Sequence, residues 1–74
     1  MAERRKLIEL RLSRGLKQKD VAKAVNISTS YYGMIEQGKR MPTLNIAMMI
    51  AQYFGKSVEE IFFENKNNYM LNRW

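Results

Sequence analysis

The stretch STSYYGMIEQGKR, residues 28–40, has the pattern of a short helix that contains a glycine and is followed by two cations. Ser28 predicts the start of this helix, because its hydroxyl can accept a hydrogen bond from an amide of the first turn. Tyr32 and Ile35, three residues apart, predict the buried face. We expect a helix over about residues 28–37, with the opposite face exposed.

Glycines and capping residues predict the ends of four further helices around this one. Gly15, Gly38 and Gly55 each follow an apolar segment, as glycines do after the last turn of a helix. Helix 1 is predicted over about 3–14, helix 2 over 18–25, helix 4 after Thr43, and helix 5 after a capping box of Ser57 and Glu60. The apolar residues predicted at helical spacing are Leu7, Leu10, Val21, Ala22, Val25, Tyr32, Ile35, Leu44, Ala47, Ile50, Ala51, Phe54, Val58, Ile61 and Phe62. The pattern predicts an all-α domain of five short helices.

Composition narrows the class of function. The 74 residues suffice for one domain and include no cysteine and no histidine. The commonest metal ligands and the commonest general base are therefore absent, and no catalytic constellation is visible among the other residues. We expect no enzyme, no cofactor and no bound metal. No apolar run reaches the roughly 18 residues of a membrane span, and the start lacks the apolar core of a secretory signal. We therefore expect a cytoplasmic protein without membrane association.

The positive charge is concentrated in the first half of the chain. The chain carries 13 Lys and Arg against 7 Asp and Glu, a net charge of +6. Residues 1–40 hold ten of the cations and four of the acids, whereas residues 41–74 hold three of each. A surface that is merely solvated would mix the two signs more evenly. The segregation favours a polyanionic partner, such as nucleic acid.

Helices 2 and 3 have the spacing of a helix-turn-helix, in which two short helices are joined by a tight turn. Ala22 supplies a small residue where the helices cross, and Ile27 supplies an apolar residue in the turn. Residues 16–62 resemble the helix-turn-helix domains of phage repressors and Cro proteins, the xenobiotic-response-element family. The matching features are Gln18 at the start of helix 2, the Val21-Ala22 pair, Ser28 before helix 3, IEQGKRMP and AQYFGKSVEEIF. The resemblance implies a five-helix repressor/Cro-like DNA-binding domain over residues 1–63, followed by a short extension over 64–74.

The resemblance also implies which residues approach DNA, because the second helix of the motif lies in the major groove. The residues expected to face bases are Thr29, Ser30, Gly33 and Met34. The residues expected at the DNA backbone are Gln18, Ser28, Tyr31, Lys39, Arg40, Lys17 and Lys19. Gly33 either lets the helix approach the duplex closely or is a tolerated small residue that costs roughly 1 kcal/mol against alanine. The base-facing set contains no Arg, Asn or Gln, so discrimination would depend on thymine methyl groups and DNA shape.

One charged pair is expected to be structural. Glu36 lies in the last turn of helix 3, where an acid is unfavourable to the helix dipole, so it should have a partner. In the family the matching acid pairs with an arginine late in helix 1, and Arg11 occupies that position. We therefore predict an Arg11–Glu36 ion pair that holds helix 1 against helix 3.

Two functions remain open at this stage. The first is a sequence-specific DNA-binding regulator, expected to be a repressor, that acts as a homodimer on a palindromic operator. The alternative is an antitoxin-type interaction module that binds a partner protein and regulates its own operon. In either case the apolar residues of the extension, Tyr69, Met70, Leu71 and Trp74, could dock on the domain or on a second subunit.

Overall fold

The computed structural model describes residues 3–63, and these residues form five α-helices without strands. The helices are α1 (Arg5–Ser13), α2 (Gln18–Ala24), α3 (Thr29–Glu36), α4 (Leu44–Phe54) and α5 (Val58–Phe62). The predicted all-α class is therefore confirmed. The predicted extension over 64–74 lies outside the described residues.

Side-chain caps set the starts of the last three helices where the sequence places them. Ser28, Thr43 and Ser57 each accept a hydrogen bond from the backbone amide three residues further on, at 3.0, 3.2 and 3.0 Å. The Glu60 carboxylate also accepts a hydrogen bond of 2.8 Å from the Ser57 amide, which completes the predicted capping box. Gly15, Gly38 and Gly55 have φ values of 68°, 79° and 69°, the left-handed conformation expected after a helix.

The core lies where the five helices meet. Helix α1 packs against α3 and α5, α2 packs against α3, and α4 packs against α5. The fully buried side chains of this core include Leu7, Val21, Val25, Tyr32, Ile35, Ile50, Phe54 and Ile61. All eight belong to the set predicted from helical periodicity. Because helices this short are only marginally stable alone, the packing of these buried faces, rather than intrinsic helix propensity, stabilises them.

Leu44 is the clearest exception to the predicted core. Its side chain is 70% exposed although its spacing matches the buried residues of α4. Leu44 is the first residue of that helix, directly after the capping Thr43. Leu10, Val58 and Phe62 are only half-buried against the core. Periodicity alone does not show where a helix extends beyond its neighbours.

A helix that crosses a membrane must be both long and apolar. Among residues 3–63, no helix combines the length and the apolar character that crossing a bilayer requires.

Candidate nucleic-acid interface

The connection between α2 and α3 is a tight four-residue turn. Asn26 has a positive φ of 61°, and the Ile27 amide donates a hydrogen bond of 2.9 Å to the carbonyl of Ala22. Ala22 itself is buried, and the Ile27 side chain packs against the core. The small residue in α2 and the apolar residue in the turn thus have the positions that the sequence predicts for a helix-turn-helix. The first turn of α3 is presented at the protein surface as a result.

Three of the four residues expected to face bases lie at this surface. Thr29 and Ser30 are exposed, and Met34, one turn further along α3, is half-buried. Tyr32 and Ile35 point into the core on the other side of the helix. The orientation of α3 is therefore the one that contact between its first turns and a duplex would require.

Gly33 does not belong to this outward set, and its predicted base-facing position is wrong. The residue is buried on the side of α3 that packs against α2. A Cβ atom built at Gly33 would have the Gln18 carboxamide as its nearest neighbour, with the Oε1 atom 3.4 Å away. Gly33 lies only one residue beyond Tyr32 and so falls at the edge of the buried face. That face widens to include Gly33 because α2 crosses there.

Gln18 is half-buried, and one of its donors is already used within the protein. Its Nε2 atom donates a hydrogen bond of 2.9 Å to Oε1 of Glu36. The expected role of Gln18 at the DNA backbone must therefore depend on the second N–H of the same amide, which has no partner among residues 3–63.

The Arg11–Glu36 ion pair is present and is bidentate. Nε of Arg11 lies 2.6 Å from Oε2 of Glu36, and Nη2 lies 3.0 Å from Oε1. A third donor of Arg11, Nη1, reaches the carbonyl of Leu16 at 3.0 Å. The Glu36 side chain is only 3% exposed and that of Arg11 is 13% exposed. The pair joins α1 to α3 as predicted, and Gln18 extends it to α2.

This environment shifts the pKa values of the buried groups in opposite directions. Burial alone would raise the pKa of the Glu36 carboxyl, but the hydrogen bonds from Arg11 and Gln18 outweigh burial and hold that pKa below its usual value. Burial raises the pKa of the Tyr32 hydroxyl, and the neighbouring Glu36 carboxylate adds to this effect. Glu36 is therefore ionised and Tyr32 neutral at physiological pH.

Four exposed cations lie at the two ends of the α2–turn–α3 unit. They are Lys17 and Lys19 at the start of α2, and Lys39 and Arg40 after α3. None of them has a carboxylate of residues 3–63 within ion-pair distance. The second pair is held by the turn at Gly38, since the amides of Lys39 and Arg40 both donate to the carbonyl of Met34, at 3.0 and 3.3 Å.

An open concavity of about 590 Å³ adjoins the first turn of α3 and adds a cation that the sequence did not single out. Its lining includes Lys19, Lys23, Ser28 and Thr29. Lys23 lies one helical turn after Lys19, so both lysines border the same groove beside the α3 N-terminus. A helical-wheel comparison with Lys19 could have indicated Lys23.

Three other cations among residues 1–40 contact groups of the protein itself. Arg11 pairs with Glu36, as described above. Arg14 stacks over the Phe54 ring at 5.1 Å and donates a hydrogen bond of 2.8 Å to its carbonyl, which caps the C-terminus of α4. Arg4 stacks over the Phe62 ring at 5.3 Å, and burial lowers its pKa. These three arginines therefore stabilise the fold. The net charge of +6 is for this reason larger than the positive charge that is available to a partner.

A tight α2–turn–α3 unit with an exposed first turn and flanking cations defines a helix-turn-helix domain. The helix-turn-helix family model matches residues 7–61. The chain therefore belongs to the helix-turn-helix family of DNA-binding transcriptional regulators, in its Cro/C1-type branch.

Individual relatives agree with this assignment. An uncharacterized HTH-type transcriptional regulator of Methanocaldococcus jannaschii is 40% identical over 57 residues, which cover 77% of this chain and 86% of the relative. The transcriptional repressor RstR of the cryptic phage CTXphi, from Vibrio cholerae, is 27% identical over 85% of this chain and 57% of its own length. The crystal structure of the restriction-modification controller protein C.AhdI from Aeromonas hydrophila superposes with a TM-score of 0.70 at 32% identity. That match covers 77% of this chain and 86% of C.AhdI.

Proposed function

We propose that the protein is a sequence-specific repressor that binds a palindromic DNA operator as a homodimer. The observation that carries the proposal is the exposed first turn of α3 together with two pairs of exposed cations, Lys17 with Lys19 and Lys39 with Arg40. The two pairs stand where α2 begins and where α3 ends, so a duplex that receives α3 in its major groove would meet positive charge on both sides.

Sequence discrimination in this proposal depends on Thr29, Ser30 and Met34. Hydroxyl groups can donate or accept, and a thioether offers only an apolar contact, for example to a thymine methyl group. None of the three makes the bidentate contacts with which Arg, Asn or Gln select a base. Operator preference should therefore come from A·T-rich positions and from DNA shape as much as from direct hydrogen bonds.

Backbone contacts would fix the register of α3 in the groove. Ser28 uses its oxygen to cap α3, but its hydroxyl proton stays available to a phosphate. Tyr31 is half-buried against the core, so only its outer part could reach a phosphate. The free N–H of Gln18 and the four exposed cations supply the remaining donors.

Pairing of two chains is supported by the small DNA-contacting surface of one domain and by exposed apolar side chains. One domain of this kind reads only a few base pairs, and two half-sites about one helical turn apart give useful specificity. Leu44, Met48 and Phe63 are 70%, 53% and 55% exposed at α4 and directly after α5. The relative RstR is named a repressor, which supports repression as the outcome of binding.

A gel mobility-shift titration at several salt concentrations tests this function. On the region upstream of its own gene, the protein should bind at least 10³ times more tightly than on random duplex of equal length. The logarithm of affinity should fall steeply and linearly with the logarithm of salt concentration, because several phosphates are neutralised. Equal affinity for both duplexes, or affinity independent of salt, would exclude this function.

Two single substitutions separate backbone contacts from base contacts. Lys39→Ala should weaken binding to every duplex by a similar factor and reduce the salt slope by about one. Thr29→Ala should leave the salt slope unchanged and alter the ranking of operator variants, by about 0.5–1.5 kcal/mol at one base pair, the contribution of one ordinary hydrogen bond. Glu9→Ala, an exposed change on α1, is the matched control and should affect neither measurement. If Thr29→Ala and Ser30→Ala left every ranking unchanged, the placement of α3 in the groove would be wrong.

A further inference from the structure

The Gln18 carboxamide is held between two residues of α3 that do not themselves reach the surface. On one side, its Nε2 atom donates to Oε1 of Glu36 at 2.9 Å. On the other side, the missing side chain of Gly33 leaves the space next to the amide, with Oε1 and Cδ of Gln18 at 3.4 and 3.9 Å from an ideal Cβ position. Both neighbours are buried.

The chemistry of Glu36 allows only one orientation of this amide. An ionised carboxylate is an acceptor without a donor, so it must face the NH₂ end of Gln18. A rotation of the amide by 180° would bring two acceptor oxygens into contact. Because Arg11 fixes both carboxylate oxygens, Glu36 cannot turn away to relieve that repulsion. The Oε1 atom of Gln18 is therefore confined to the side of Gly33.

We propose that Glu36 and Gly33 are positioning residues for DNA binding, because together they hold Gln18 with its second N–H available to a backbone phosphate. The inference rests on the proposed function. An amide that could rotate freely would present an oxygen to the phosphate about as often as a donor, and an oxygen repels it. The locked amide is pre-organised as a donor and loses little freedom when it binds.

This arrangement gives Gly33 a role that its helix penalty does not suggest. A methyl group at this position would lie at van der Waals distance from Oε1 of Gln18 and could be accommodated. A longer side chain would extend into the volume that the carboxamide occupies. The position thus requires a residue no larger than alanine, and the requirement comes from α2 rather than from the DNA.

The test compares Gly33→Leu with Gly33→Ala, each in the wild-type chain and in a Gln18→Ala background. Gly33→Leu should weaken operator binding about tenfold, as Gln18→Ala does, which is the fold-change of one hydrogen bond to a charged group. Its salt slope should stay unchanged, because a neutral amide releases no counterion. Gly33→Ala should bind like the wild type. In the Gln18→Ala background, neither Gly33 variant should cause a further loss.

The side-chain amide signal of Gln18 in a ¹⁵N–¹H spectrum of the free protein gives a second measurement that needs no DNA. Gly33→Leu should shift this signal towards that of a solvent-exposed glutamine, and Gly33→Ala should leave it in place. Equal operator affinity of Gly33→Leu and the wild type would overturn the inference, as would an equal loss in both backgrounds. A wild-type protein that bound no duplex specifically would overturn the proposed function first, whatever the amide signal showed.

Discussion

Replacing Glu36 with alanine is expected to lower the free energy of unfolding at 25 °C by about 3–5 kcal/mol. The change leaves the Arg11 guanidinium without its partner at a site where only 13% of its side chain meets solvent. It also removes the acceptor for Gln18, so the contacts that join α1, α2 and α3 are lost together. Small domains have only about 5–15 kcal/mol in total. Urea denaturation followed by circular dichroism at 222 nm measures the loss.

Two companion variants show whether the pair itself causes this loss. Glu9→Ala removes an exposed carboxylate from α1 and should change stability by less than about 0.5 kcal/mol. The double variant Arg11→Met, Glu36→Leu removes both charges and should recover most of the lost stability, because well-packed apolar residues often replace a buried pair without cost. A Glu36→Ala protein as stable as the wild type would show that the Arg11–Glu36 pair does not stabilise the fold.

Acid should reproduce part of this effect in the wild type. The pKa of Glu36 in the folded protein lies below its ordinary value of 4.5, so the folded state favours the ionised form. The corresponding stability is complete above the pKa of the unfolded chain and is lost as the pH falls through the lower folded pKa. The Glu36→Ala variant should lack this portion of the acid dependence.

Replacing Phe54 with alanine is the second change with a large expected effect, about 3–5 kcal/mol. The ring is 1% exposed, packs edge-to-face against Tyr53 with centroids 5.1 Å apart, and supports the Arg14 guanidinium at 5.1 Å. Its removal opens a cavity near the end of α4 and withdraws the surface on which Arg14 stacks. Thermal and urea denaturation should both report the loss.

Phe63 is the matched control, since it is the same residue type at 55% exposure. Phe63→Ala should cost less than about 1 kcal/mol at low protein concentration, where any weak contact between chains would be dissociated. A similar loss for Phe54→Ala and Phe63→Ala would contradict the core described here. A loss for Phe63→Ala that grew with protein concentration would instead indicate a contact between chains.

The helix boundaries follow from sequence because their causes are local. Ser28, Thr43 and Ser57 satisfy backbone amides three residues away, and Gly55 takes a conformation that most other residues avoid. Each of these signals acts within one turn of the chain. No distant residue has to be known, so all three N-terminal caps were predicted at the right positions.

The sequence does not show in the same way which cations contact the protein and which remain in solvent. Arg4, Arg14, Lys17 and Lys39 look alike in a sequence, yet the first two stack on aromatic rings and the last two remain in solvent. Phe62 and Phe54, the rings concerned, lie 58 and 40 positions away from their arginines. Arg11 was the exception, because Glu36 needed a partner against the helix dipole and the family resemblance indicated which residue supplies it.

The sequence by itself determined five helices, their caps, the residues of the core, the Arg11–Glu36 pair and the helix-turn-helix family. The tertiary structure alone decided that Gly33 faces Gln18, that Leu44 lies outside the core, and that Arg4 and Arg14 stack on aromatic rings. The physical reason is the range of the forces involved. Caps and helical periodicity act between residues a few positions apart, whereas the width of a buried face depends on which distant helix crosses it.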